Sequence, residues 1–241
     1  MSNSDAIART TMGAYIVNDD RHLVLPDVPL YAVLDADVHR GHGADVVLDV
    51  FARDLPTLRA ARQRGPVAMA EALRTTIESA NTALLAMGAT PEWRGIGSAI
   101  TCCALANGHA VIAHVGDSRM YARRDGAWHR VTTDHTMIEE LRANGTPEQL
   151  QETKELHANV ITRALGFVPD VKVDVDIQDL DSVDALLLCT DGAWSSFDPD
   201  FDGRGPDGPH ELDRLATWIF DRHHEAGGRA NATIVLVPID R

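Results

Sequence analysis

Two aspartates stand where apolar runs stop: Asp35 closes LYAVLD from Leu30, and Asp191 stands just beyond the apolar part of LLLCTDG, Leu186 to Gly192. Carboxylates carried at the ends of buried strands let a scaffold gather hard oxygen ligands from remote parts of a chain. The triplet Asn18-Asp19-Asp20 places two further carboxylates ahead of another expected strand. Asp117, in the turn Gly116-Asp117-Ser118-Arg119, adds a fourth region. Oxygen ligands of this kind suit magnesium or manganese, which keep bound water, and a pair of such ions turns that water into a nucleophile for phosphate. Aspartates at strand ends also cap helices and close turns, so spacing alone leaves both uses open. A transition-metal site built from His39, His42, His223 and His224 is a separate reading. The adjacent pair at the end of an expected helix fits a solvated cap or a dipole partner better.

The elements that must hold these residues follow from hydrophobic patterning. The run 30–34 is continuously apolar, as in a strand buried on both faces, and the polar ADVHRGHG after it is a loop. Residues 44–55 place Val46, Val47, Val50 and Phe51 at helical spacing. Residues 66–87 repeat the pattern with Val67, Leu73, Ile77, Ala80, Leu84 and Met87 inward. After Gly95 and Gly97, the β-prone runs 98–106, 110–115 and 119–123 are separated by Asn-Gly and Gly-Asp turns, which predicts an antiparallel meander. Asp125-Gly126 adds a hairpin to the strand 127–131. Short helices are expected over 136–144 and 147–157. A half-exposed strand is expected at 171–177, a buried one at 185–189, a helix over 210–222 and a closing strand at 232–238. Helices and strands without regular alternation indicate an α+β layered fold.

Composition narrows the class. The 241 residues suffice for one domain, read as 1–241, with hydrophobic residues at 44% and charged residues at 24%. A net charge of −14 with scattered Lys and Arg argues against nucleic acid as a partner. No stretch reaches membrane-spanning length and the first eleven residues lack an apolar core, so a cytoplasmic protein is expected. Cys102, Cys103 and Cys189 show no zinc-ligand spacing. The adjacent pair should point to opposite faces of one strand as buried thiols.

Several segments, in order, resemble the bacterial branch of the type 2C metal-dependent protein phosphatases. They are LYAVLD (30–35), Gly43 at the next helix, GSAIT (97–101), AHVGDSRMYARRDGAWHRVTTDHT (113–136), ITRALG (161–166), LLLCTDG (186–192) and GGRANATIVLV (227–237). The resemblance implies a four-layer α-β-β-α sandwich of two central antiparallel sheets with the metal site between them. It implies two manganese or magnesium ions, Asp35 as bridging ligand, Asp191 as second core ligand and Asp117 at an additional, weaker metal. Ala36 replaces a glycine whose carbonyl is a ligand, and Asp19 stands for a glutamate. Residues 137–159 match a variable flap beside the active site.

The same resemblance marks departures. Ala230 precedes Asn231 where the family has Asp-Asn, which removes one carboxylate ligand, and the neighbouring Arg229 cannot replace it. Tyr15 stands where active relatives carry a phosphate-gripping arginine, a charged fork that a phenol cannot offer. The turn after Asp35 reads Ala36-Asp37-Val38-His39-Arg40 in place of a glycine-rich one. His39 or His42 is then a candidate general acid or replacement metal ligand, and Arg40 or Arg21 a substitute phosphate clamp. Two functions are implied: a phosphoserine and phosphothreonine protein phosphatase, acting on phosphoproteins and opposing a cognate kinase, or a pseudophosphatase that binds a phosphoprotein or regulatory partner.

Overall fold

The computed structural model describes residues 6–36, 41–146, 148–150, 160–197 and 211–239. In chain order the strands are β1 (Ile7–Thr11), β2 (Arg21–Leu25), β3 (Leu30–Asp35), β4 (Ala99–Ala106), β5 (His109–Val115), β6 (Arg119–Arg124), β7 (Ala127–Arg130), β8 (Asp174–Asp179), β9 (Val183–Cys189) and β10 (Ala232–Pro238). The helices are α1 (His42–Arg64), α2 (Pro66–Gly88), α3 (Met137–Asn144), the single turn α4 (Asp191–Trp194) and α5 (Glu211–Glu225). Sheet I runs β1-β10-β9-β6-β7 and sheet II runs β2-β3-β4-β5-β8, and the pairings are antiparallel throughout.

Strand periodicity explains the layering. On β3, Tyr31 and Val33 face one way and pack with Leu186, Leu188, Val235 and Val237 between the sheets. Leu30, Ala32 and Leu34 face the other way onto α1 and α2. Alternate residues of β9 and β10, among them Leu187 and Ile234, cover α5 through Leu215, Ala216 and Ile219. Three apolar layers thus separate four structural ones, as the α+β sandwich reading requires. Cys102 lies in the helix-facing core and Cys103 between the sheets, all three cysteines are buried thiols, and burial pushes Cys102 up to about 12.

Four local expectations are corrected. The meander is split between sheets: β4 and β5 pair in sheet II, then the turn 116–118 carries the chain across so that β6 pairs with β9 and β7 in sheet I. Patterning identifies strands, whereas partner choice is set by which faces remain to be buried. Helix α1 runs through Pro56 to Arg64, because Leu58 and Ala61 extend its buried stripe beyond that exposed proline. Val67 is 75% exposed, since it sits in the first turn of α2, ahead of the buried stripe that begins at Met69. β8 begins at Asp174, with Val171 and Val173 already buried ahead of it. β1 was legible only as polar chain, and it is an edge strand recruited by β10. The expected helix 147–157 falls largely outside the described residues. Both two-residue hairpins hold the predicted turns, with positive φ at Asn107 (49°) and Gly108 (77°) and at Asp125 (51°) and Gly126 (77°).

Candidate active site

The register of β2 on β3 pairs Arg21 with Leu34, so the residues entering β2 flank the end of β3 that carries Asp35. Thr190, at the exit of β9, donates its hydroxyl to Asp20 Oδ2 at 2.7 Å. This bond ties the entry of β2 in sheet II to the exit of β9 in sheet I. Asp19, Asp35 and Asp191 therefore gather at one end of the sandwich although 172 residues separate the outer two. Asn231 secures the same end: its carbonyl oxygen accepts the Asp19 N–H at 2.7 Å, and its amide donates to the carbonyls of Met12 (2.9 Å) and Val17 (3.1 Å).

The turn after Asp191 is packed from two sides. A side chain on Gly192 would begin 1.9 Å from the Asn231 carbonyl and 2.9 Å from Ala230 Cβ, so only glycine fits, and Ala230 points at this turn. From behind, buried His223 donates Nδ1–H to the Gly192 carbonyl at 3.0 Å. The expectation of a solvated cap is thus corrected for His223 and holds for exposed His224.

Asp117 arrives on the crossover turn. Gly116 has φ 117°, and a Cβ there would lie 2.3 Å from that of Ala99, the register partner of Asp35. The Gly116 N–H donates to His135 Nδ1 (3.0 Å) and its carbonyl accepts from the His135 N–H (2.7 Å). Trp194 donates its indole N–H to the Asp117 carbonyl at 2.9 Å. The Arg119 guanidinium lies 3.4 Å over the Trp194 ring and is held by Asp134 through Nε and Nη2, the latter at 2.7 Å, with both partners nearly fully buried. Asp117 is consequently buried against the Asp191 turn.

A cavity of about 400 Å³ opens beside Asp35, lined also by Ala36, Ser98, Ile161, Arg163 and Phe167. Ser98, buried, shares its hydroxyl proton between the carbonyls of Asp35 (3.0 Å) and Ala99 (2.8 Å), two residues paired across β3 and β4, which ties down the strand end. Arg163 donates to Asp174 Oδ1 at 2.9 Å, and His135, whose Nδ1 is already an acceptor, donates Nε2–H to Asp174 Oδ2 at 3.1 Å. Asp174 is held below the usual carboxylate range: burial pushes it up, but the His135 hydrogen bond and the Arg163 and Lys172 cations outweigh that. Burial lowers His135, and burial together with His135 pushes His114 down to about 3. Both imidazoles are neutral at pH 7.

The remaining expected residues are placed as follows. His39 and Arg40 lie outside the described residues. His42 is exposed at the start of α1 and packs on Trp93 with ring centroids 5.0 Å apart. Tyr15 is 60% exposed on the loop held by Asn231. Arg21 is spent structurally, paired with Asp45 at 2.7 Å and donating to the carbonyls of Asn18 and Asp20, so it is no phosphate clamp. Arg163, His135 and Asn231 were not singled out as site residues. Arg163 stood in ITRALG, but the partner that orients it, Asp174, becomes visible only once β8 is placed.

The residues expected as metal ligands, the carboxylates of Asp19, Asp35, Asp117 and Asp191 and the carbonyl of Ala36, are all hard oxygens. Oδ1 of Asp19 and of Asp117 are buried. Among the described residues no group of three or more His, Cys, Asp or Glu side chains stands close enough together to hold a metal ion by itself. The chemistry fits magnesium or manganese, ions that complete their shells with water, rather than a fully protein-coordinated metal.

A family model described as protein phosphatase 2C matches residues 16–222. A serine/threonine phosphatase from Listeria monocytogenes serotype 4b is 28% identical over 214 residues, 86% of this chain and 84% of its own length. The match to a relative from Streptococcus pyogenes, also 28% identical, spans 67% of this chain and 66% of the relative. Among solved structures, serine/threonine phosphatase Stp1 from Staphylococcus aureus superposes with a TM-score of 0.84 at 24% identity, over 98% of this chain and 95% of that one. The catalytic domain of the phosphatase PstP, solved with two manganese ions, superposes with a TM-score of 0.79 at 24% identity and 98% coverage of each. These superpositions show a shared fold. No described helix is long and apolar enough to cross a membrane.

Proposed function

The chain belongs to the protein phosphatase 2C family, and on that premise we propose that it hydrolyses phosphoserine and phosphothreonine on proteins at a magnesium or manganese centre, residues 1–241 acting as one phosphatase domain. The observation that carries the reading is the Thr190–Asp20 bond, which joins the strand ends of the two sheets and brings Asp19, Asp35 and Asp191 to one mouth.

The carboxylates of Asp35, Asp191 and Asp19 and the Ala36 carbonyl would hold the ions, with Asp117 serving an additional one. When bound, such ions supply an activated water and offset the negative charge of the phosphoryl group. The chain's own residues do the positioning. Ser98 fixes the Asp35 backbone, Asn231 fixes that of Asp19, and His223 with Gly192 fixes the turn after Asp191. Among the described residues, Arg163 is the cation lining the cavity next to Asp35, and its carboxylate-held guanidinium offers planar donors to phosphate oxygens, a part Tyr15 cannot play. His39 and Arg40, a few residues beyond Ala36 in the chain, are the candidates for protonating the leaving alkoxide and for a second phosphate contact, with His42 the alternative acid. The substrate is a phosphoprotein, and the enzyme opposes a serine/threonine kinase in the cytoplasm. A net charge of −14 supports protein rather than nucleic-acid targets.

Manganese is the cation to test first, since the PstP catalytic domain was solved with it. Phosphate release from a phosphothreonine peptide is expected to require manganese and to vanish in Asp35→Asn. Ala230→Asp, which adds a carboxylate against the Asp191 turn, is expected to tighten manganese binding in calorimetry and to raise turnover. Release that survives Asp35→Asn, or none at any manganese concentration, would refute the reading.

A further inference from the structure

Large apolar side chains left in solvent are concentrated around this mouth. Of the nine exposed ones among the described residues, four lie in 160–168 and three in 12–16. Phe167 is 60% exposed, yet its surroundings fix it. A side chain on Gly97 would begin 2.5 Å from Phe167 Cε2, so the ring lies against bare backbone. The flanking chain is clamped by Asn81, 1% exposed, which accepts the Gly166 N–H at 2.8 Å and donates to the carbonyls of Val168 (2.8 Å) and Pro169 (3.1 Å). Leu165 exchanges backbone hydrogen bonds with Ser98, the residue that holds Asp35. An aromatic ring left in water on a clamped backbone forgoes the stabilisation that burial would supply, and an apolar surface on an ordered backbone binds another apolar group at lower entropic cost.

Phe167 and Ile161 line the same cavity as Asp35 and Arg163. A phosphate bound by Arg163 and by the ions that Asp35 would hold therefore leaves the adjoining part of its own polypeptide over this wall. We propose that Phe167 and Ile161 form a substrate-selecting subsite that takes an apolar side chain next to the phosphorylated serine or threonine. The inference rests on the phosphatase reading and names its substrate class: phosphoproteins with an aliphatic or aromatic residue flanking the phosphorylated one. Further exposed apolar side chains, in 12–16, lie on the loop that Asn231 holds.

The test uses two phosphothreonine peptides that differ only in having leucine or serine on both sides of the phosphothreonine, so that charge is unchanged. Their non-hydrolysable phosphonate forms are titrated against the manganese-loaded full chain, and p-nitrophenyl phosphate hydrolysis is read separately. The leucine peptide is expected to bind about tenfold tighter than the serine peptide. Phe167→Ser is expected to bring the two affinities within about twofold, while Phe167→Leu keeps most of the preference. Circular dichroism verifies that each variant is folded, and Ile161→Ser provides an independent second reading. Equal affinities in the parent, or a preference unchanged in both Phe167→Ser and Ile161→Ser, overturn the proposal. So does a dimer in sedimentation velocity that Phe167→Ser dissociates, accompanied by no peptide preference, since that assigns the surface to a second copy. A chain inert toward p-nitrophenyl phosphate that still prefers the leucine peptide sinks turnover while supporting the subsite.

Discussion

His114 makes folding stability depend on pH in a window where most side chains are silent. It is 2% exposed, lies against His135 with ring centroids 4.6 Å apart, and is bonded to the Thr101 hydroxyl at 2.8 Å and the Thr133 carbonyl at 3.1 Å. Burial first, and then His135, pushes it from an ordinary 6.5 to about 3. The unfolded chain therefore takes up a proton as pH falls through about 6.5, while the folded chain does not until near 3, so acid favours unfolding across that interval. Between pH 7 and pH 5 this one group costs about 2 kcal/mol of stability. His135, also lowered, acts in the same direction. Asp174 is lowered too, but a depressed carboxylate loses its contribution only as pH falls below the ordinary carboxylate value, outside this window. Urea unfolding of the parent and of His114→Asn, followed by tryptophan fluorescence at pH 7 and pH 5, isolates the effect. The parent is expected to lose about 2 kcal/mol more than the variant over the two pH units. Equal losses would mean that His114 titrates normally in the folded protein and that the sealed environment described for it is wrong.

Asp134→Asn leaves the Arg119 guanidinium buried without its carboxylate, and chemical unfolding should register a loss of about 3–5 kcal/mol. Gly192→Ala forces a methyl to within 1.9 Å of the Asn231 carbonyl, which must shift at a cost of about 1–3 kcal/mol. Weaker manganese binding by calorimetry should accompany it, because the displaced backbone adjoins Asp191. Asn231→Ala removes the acceptor for the Asp19 N–H and the two donations to the 12–17 segment, a loss of about 2–3 kcal/mol in urea titrations. Manganese affinity should fall with it; an unchanged affinity would separate Asp19 from the metal.

Much of the molecule was open to reading along the chain. Continuous apolar runs marked β3 and β9, Asn-Gly and Asp-Gly marked both tight hairpins, and helical spacing marked α2 and α5, because backbone geometry dictates those patterns within a few residues. Asp35 and Asp191 were legible as candidates for the same reason, being polar residues where apolar runs stop. The order of the matched segments pointed to the family without any coordinates.

Other features exist only in three dimensions. That β6 leaves the expected meander for sheet I depends on which strand faces remain uncovered after β4 and β5 have paired, a property of the whole sandwich. Arg21 is a candidate phosphate clamp by sequence, but in the fold Asp45 and two carbonyls occupy it. Arg163 read as ordinary until β8 brought Asp174 beneath it, and His223 read as a solvated cap until α5 packed it against Gly192. The identity of each residue is local, but its charge state, its partner and its exposure are set by what the fold brings from elsewhere in the chain. That is why the family and the strand-end aspartates could be named from the sequence, whereas the groups that hold those aspartates in place, and the apolar wall beside them, came only with the tertiary structure.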